Sequence, residues 1–139
     1  MKVNTKKWLN ILFIIYCVFM LWMTILNREP RTHRCELSLF WSFRELIDGH
    51  PDGVQDTIQY LENILFFIPF GFLLPWKKSR KQAYLIAFAV SFAIELSQFV
   101  FTVGLAETDD VVANVLGGVI GFWLYQIMKR RTETRKGRE

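Results

Sequence analysis

Residues 83–103 read AYLIAFAVSFAIELSQFVFTV, an apolar run interrupted by one charge, Glu95. A helix of this length rises about 31 Å. That matches the roughly 30 Å of hydrocarbon in a bilayer, whereas helices buried in soluble cores are usually shorter. Working outward, residues 8–26 (WLNILFIIYCVFMLWMTIL) and 111–128 (VVANVLGGVIGFWLYQIM) carry no charge at all. A further run, 64–76 (ILFFIPFGFLLPW), is shorter and holds Pro69 and Gly71. Extended back to 60 it reaches the low end of spanning length. Neighbouring helices can satisfy the carbonyl that a proline frees, so the spacing predicts a kinked span, with a re-entrant segment as the alternative.

The expected fold is therefore all-α: an integral membrane bundle of four transmembrane helices in one domain covering 1–139. Its spans are about 8–26, 60–76, 83–103 and 110–128, followed by a basic tail at 129–139. Lys2, Lys6 and Lys7 precede the first run in the manner of a signal peptide. Its apolar stretch is too long for one and ends without small residues, so it reads as a retained span.

The 17 basic residues fix the orientation. Lys2, Lys6, Lys7, Lys77, Lys78, Arg80 and Lys81 fall on one side, with Lys129, Arg130, Arg131, Arg135, Lys136 and Arg138 of the tail. Only Arg28, Arg31, Arg34 and Arg44 fall on the other. Basic loops stay cytoplasmic, so both termini are expected inside and the first and third loops outside. The basic tail suits anionic lipid and explains the net charge of +4 without a nucleic-acid partner. Cys17 and Cys35 lie at different depths, and His33 and His50 lack metal-ligand spacing. No phosphate loop or nucleophile elbow is present. No metal, cofactor or catalytic residue is expected.

Polar groups at helical spacing are the unusual feature. Ser91, Glu95, Gln98 and Thr102 share one face of the third span. Asp110, Asn114, Gly117 and Gly121 share one face of the fourth. With Glu62 and Asn63 at the mouth of the second span, and Asp109, they converge on the outer half of the bilayer. An ionisable group there costs about 2.5–3.5 kcal/mol on insertion scales, so Glu95 should be paired, protonated or open to water. Arg44 is the candidate counter-ion. The proposed ligand-binding set is Glu95, Gln98, Asp110, Asn114, Asn63, Asp109 and Arg44; the plainer alternative is interhelical hydrogen bonding. Gly117, Gly118 and Gly121, with Pro69 and Gly71, read as packing positions. The Gly117/Gly121 face points to close approach of another helix, the third span before a second copy of the chain. Residues 37–47 (LSLFWSFRELI) are too short to span and fit an interfacial or re-entrant segment in the first outer loop.

Three blocks resemble the signatures of the VanZ-like family. The first is Asn63, Phe67, Pro69, Gly71 and Pro75. The second is Glu95 and Gln98. The third is Gly104, Asp109-Asp110, Asn114 and Gly117-Gly118. The outer-loop stretch 39–44 is a weaker fourth match. The resemblance implies a small multi-span protein of the bacterial cytoplasmic membrane, associated with low-level resistance to teicoplanin-type glycopeptides. Many members of that family carry a basic residue shortly before the Asp-Asp block, where this chain has Leu105-Ala106-Glu107-Thr108. The local charge is acidic, which favours a cationic group over a bare phosphate. The implied partners are a membrane lipid headgroup, a lipid-linked wall precursor or the glycopeptide. Two other classes stay open: an intramembrane enzyme using Glu95 and Asp110 as an acid–base pair, and a small transporter.

Overall fold

The computed structural model describes residues 5–28, 30, 35–74 and 79–136. Helix α1 (Thr5–Leu21) runs on as a π-helical turn, Trp22–Leu26. There follow strand β1 (Cys35–Glu36), α2 (Trp41–Ile47), α3 (Gly53–Leu73), α4 (Arg80–Phe101), strand β2 (Ala106–Glu107) and α5 (Thr108–Lys136). Three segments are long and apolar enough to cross a membrane: Lys7–Leu26, Arg80–Phe101 and Thr108–Arg135.

Local chemistry sets the helix ends. Ser79 caps α4: its hydroxyl accepts from the Gln82 N–H, and the Gln82 side chain accepts from the Ser79 N–H. At the other end Thr102 turns left-handed (φ 57°), and Gly104 (φ 74°) completes the reversal. Pro69 sits inside α3 without ending it.

Pairings along the chain show how the long helices run. Tyr16 donates to the Phe66 carbonyl and Phe13 packs on Phe70, so α1 and α3 are antiparallel. Asn114 meets Ser91 while Trp123 meets Tyr84, so α4 and α5 are antiparallel. A Cβ on Gly117 would lie 2.2 Å from the Ile64 carbonyl oxygen, and one on Gly121 2.0 Å from that of Ile68. Helices α3 and α5 are therefore parallel and in backbone contact. Met20, Phe67, Phe70, Ala87 and Ile94 form the apolar core between α1, α3 and α4.

The surface is inverted relative to a water-soluble domain. Ile14, Val18, Leu85, Phe92, Leu96 and Trp123 are exposed, while Ser91, Glu95, Gln98, Asp109, Asp110 and Asn114 are buried. Apolar side chains outside and polar ones within is the pattern of a protein solvated by lipid.

Several boundaries differ from expectation. Helix α3 starts at Gly53, ahead of the span expected from 60, and its backbone there lies against α2: a Cβ on Gly53 would meet the Leu46 nitrogen at 2.5 Å. The expected end of the second span at 75–76 lies outside the described residues, as do His33, Arg31, Arg34, Lys77, Lys78 and 137–139. The basic tail continues α5 as helix to Lys136, with Lys129 and Glu133 paired at i, i+4. The glycine face is occupied within the chain. Gly117 and Gly121 rest on α3, and Gly118 faces the Ala87 methyl of α4. The close neighbour of Gly117 and Gly121 is therefore α3, the expected second span, rather than the third. Of residues 37–47, only 41–47 are helical.

Candidate functional site

Helices α4 and α5 meet along their polar faces, and the meeting forms a buried seam. At its lower end the Asn114 Nδ2 donates to the Ser91 Oγ at 3.0 Å. One turn up, Glu95 and Asp110 are close enough to repel one another. At the top the chain folds back over the seam. The Glu107 N–H donates to the Glu95 Oε2 at 2.9 Å. Glu95 and Glu107 are each only 6% exposed.

Residues 30 and 35–47, between α1 and α3, form a lid over the seam. Strand β1 pairs in parallel with β2, Cys35 opposite Ala106 and Glu36 opposite Glu107. Pro30 bridges to Val103. Asp109, in the first turn of α5, accepts from the Phe40 N–H at 2.5 Å, the Ser42 Oγ at 3.0 Å and the Ser42 N–H at 3.4 Å. Phe40 is held left-handed (φ 57°), a conformation that costs a bulky residue energy and persists only where its surroundings enforce it. The Trp41 indole N–H donates to the Glu107 Oε2 at 3.2 Å. On the opposite flank, the π-helical end of α1 presents its Thr24 carbonyl to the Gln98 Nε2 at 3.0 Å. Helix ends leave such carbonyls without a backbone partner, so Gln98 closes α1 onto α4.

Two hollows approach the seam. One, of about 420 Å³, runs along α4 and has Glu95 and Glu107 in its wall. The other, of about 460 Å³, lies between the end of α1 and α3 and includes Arg28, Gln59, Glu62 and Asn63. The Gln59 and Asn63 side chains approach Asp110 from that side. Among the described residues, no group of three His, Cys, Asp or Glu side chains is placed to hold a metal ion.

The family model described as VanZ/LLP1 matches residues 13–129, most of the chain from α1 to the end of the apolar part of α5. The chain belongs to the VanZ/LLP1 family. It is also similar to Protein VanZ of Enterococcus faecium, at 27% identity over 130 residues, covering 90% of this chain and 78% of that protein. No solved structure matches it.

In this VanZ/LLP1 chain the seam brings Glu95, Asp110 and Asn114 together, with Asn63 beside Asp110. Asp109 faces α2 and holds the lid. Gln98 is committed to Thr24. Arg44 does not serve as the counter-ion: it is exposed and donates to the Leu39 carbonyl. Among the described residues, the cation whose charge acts on both Glu95 and Asp110 is Arg28, two positions beyond the π turn. Glu62 is exposed at the rim of the polar hollow. Sequence reasoning did not select Glu107, Arg28, Ser91 or Ser42 for the site. Ser91 was visible as part of the α4 stripe. An acidic residue next to the Asp-Asp pair was the available signal for Glu107.

Glu107 has a pH consequence. Burial, and after it the charge of Asp110, pushes its carboxyl up to about 8 from an ordinary 4.5. A carboxyl raised by folding favours the folded state fully below its unfolded value and loses that contribution as pH rises through the folded value. Stability is therefore expected to fall between pH 4.5 and about 8. Glu107→Gln, neutral throughout, should flatten that fall and raise the thermal midpoint near pH 8. Midpoints measured in detergent across this range test it; an equally steep fall in E107Q would assign the titration elsewhere.

Proposed function

We propose that this protein lowers susceptibility to teicoplanin-type glycopeptides by binding a surface-exposed group in the outward polar seam, without catalysing a reaction. The observation that carries this reading is the burial of Glu95, Glu107, Asp110 and Asn114 between two helices inside a lipid-solvated bundle. Interhelical hydrogen bonding alone gains about 0.6 kcal/mol per bond on average, less than an ionisable group costs at that depth. Membership of the VanZ/LLP1 family supports the link to resistance.

The chain is a protein of the bacterial cytoplasmic membrane with four spans and both termini in the cytoplasm. The fourth span is α3, whose 21 residues give about 31 Å of rise and which lies parallel to α5 in backbone contact. Helix directions alternate from α1 through α3 and α4 to α5, as four successive crossings require. The lid, 35–47, is an interfacial segment over the outer mouth. The ligand is a lipid headgroup, a lipid-linked wall precursor or the drug. Among the described residues Glu95, Glu107, Asp109 and Asp110 cluster here while Arg28 acts on Glu95 and Asp110, so the seam suits a positively charged group.

Expression in a glycopeptide-susceptible bacterium tests the reading. Wild type should raise the inhibitory concentration of teicoplanin, and Glu95→Gln, Asp110→Asn and Asn114→Ala should each return it toward the empty-vector value at equal membrane abundance. No change with wild type would remove the resistance reading. Full resistance in all three variants would remove the seam from it.

A further inference from the structure

The groove along α4 differs from ordinary lipid-facing surface. Phe88, Phe92, Leu96 and Phe99 form its outer wall and are exposed on a helix long and apolar enough to cross the membrane. Phe88 and Phe92 stack at 6.1 Å, giving that wall a flat aromatic face. The groove therefore opens sideways toward acyl chains rather than toward water. Its volume of about 420 Å³ is that of a ligand site. Two nearly buried carboxylates, Glu95 and Glu107, stand in this otherwise apolar wall.

The charge around that wall is one-sided. The groups acting most strongly on Glu107 by charge are Asp110, Asp56 and Asp109, all acidic. Arg28 is shared between Glu95 and Asp110. In the same seam one acceptor, the Asn114 Oδ1, and one donor, the Asn63 Nδ2, are buried without a partner among the described residues. A phosphate head would add acceptors and negative charge. An ammonium adds donors only.

We propose that the α4 groove seats the hydrocarbon chain of an amine-bearing amphiphile drawn from the bilayer, with its ammonium donating to Glu95 and Glu107. The assignment rests on the polar-seam reading above and names the ligand class of that seam. Entry is lateral, between α4 and the β1–β2 pair, so the lid need not open to water.

The test uses the full chain in phosphatidylcholine nanodiscs and three photoreactive probes of one chain length: dodecylamine, dodecanol and dodecyl phosphate, each carrying a diazirine near the chain end. Adducts are located by mass spectrometry. The amine should label residues 88–99 and 106–111 about tenfold more than the alcohol, the worth of one charge-assisted hydrogen bond. The phosphate should label least. Glu107→Gln combined with Glu95→Gln should bring the amine down to the alcohol's level. Leu96→Trp, which projects bulk into the groove from an exposed position, should reduce labelling by both. Equal labelling by amine and alcohol in wild type, or adducts away from the groove, would overturn the assignment whether or not the variants fold. Selective labelling alongside unchanged teicoplanin sensitivity would keep the groove and remove the resistance role. Unselective labelling alongside intact resistance would remove the groove alone.

Discussion

Gly121→Ala is expected to separate α3 from α5 and to lower the unfolding midpoint of the purified protein more than any single exposed substitution. The added methyl would stand 2.0 Å from the Ile68 carbonyl oxygen, 2.7 Å from the Phe72 nitrogen and 3.0 Å from the Gly71 carbonyl carbon. All three obstacles are backbone, so no side chain can rotate away. Overpacking a well-filled contact costs about 1–3 kcal/mol, and more where the backbone must move. The hydrogen that the methyl replaces points at the Ile68 oxygen, so a Cα–H···O contact of about 0.5–1 kcal/mol is lost as well. Gly117→Ala meets the Ile64 oxygen at 2.2 Å in the same way, and Gly71→Ala meets the Gly118 oxygen at 2.0 Å. Leu116→Ala, on the exposed side of α5, should cost little. Resistance should fall with G121A, because the seam is assembled on α5. The measurement is the midpoint of thermal unfolding in detergent. A G121A midpoint equal to that of L116A would mean that the two backbones do not touch.

How much of this was legible in the sequence depends on the range of the interaction concerned. The apolar runs at 8–26, 83–103 and 111–128 are governed by length and hydrophobicity, which are written locally, and all three are helices of crossing length. The seam was legible because α-helical periodicity puts Ser91 and Glu95, or Asp110 and Asn114, on one face whatever lies opposite. The start of α3 was not, since the polar residues before 60 carry no apolar period and Gly53 is fixed by contact with α2. The β1–β2 pair was not either: two residues per strand leave no alternation to detect, and the pair joins segments 71 positions apart in register. Arg28 took the place expected of Arg44 for a similar reason. It stands two positions beyond the π turn at Trp22–Leu26, which the uniform apolar run 8–26 does not announce. The Gly117/Gly121 stripe announced a close neighbour but not its identity, because identity is set by the whole bundle.

Asp109→Ala is expected to release α2 while leaving the α3–α5 contact in place. Asp109 is buried and accepts hydrogen bonds from the Phe40 N–H, the Ser42 N–H and the Ser42 hydroxyl. Alanine would leave those donors unpaired in a buried site, at about 1–3 kcal/mol for each that finds no water. The same carboxylate holds Phe40 left-handed, so its loss also frees that residue to leave a costly conformation. A seven-residue helix has no stability of its own in isolation and depends on what it is docked to. Once released, α2 withdraws the Trp41 N–H from Glu107, and water reaches a carboxyl now kept dry. Asp109→Asn should be milder than D109A, since its amide oxygen still accepts one of the bonds. Hydrogen exchange read by mass spectrometry separates the cases. Protection of 41–47 should collapse in D109A, decrease partly in D109N and persist for α5 in both. Undiminished protection of 41–47 in D109A would show that α2 is held by its apolar contacts with α3, the Phe43–Tyr60 edge-to-face pair foremost, and that the lid does not depend on Asp109.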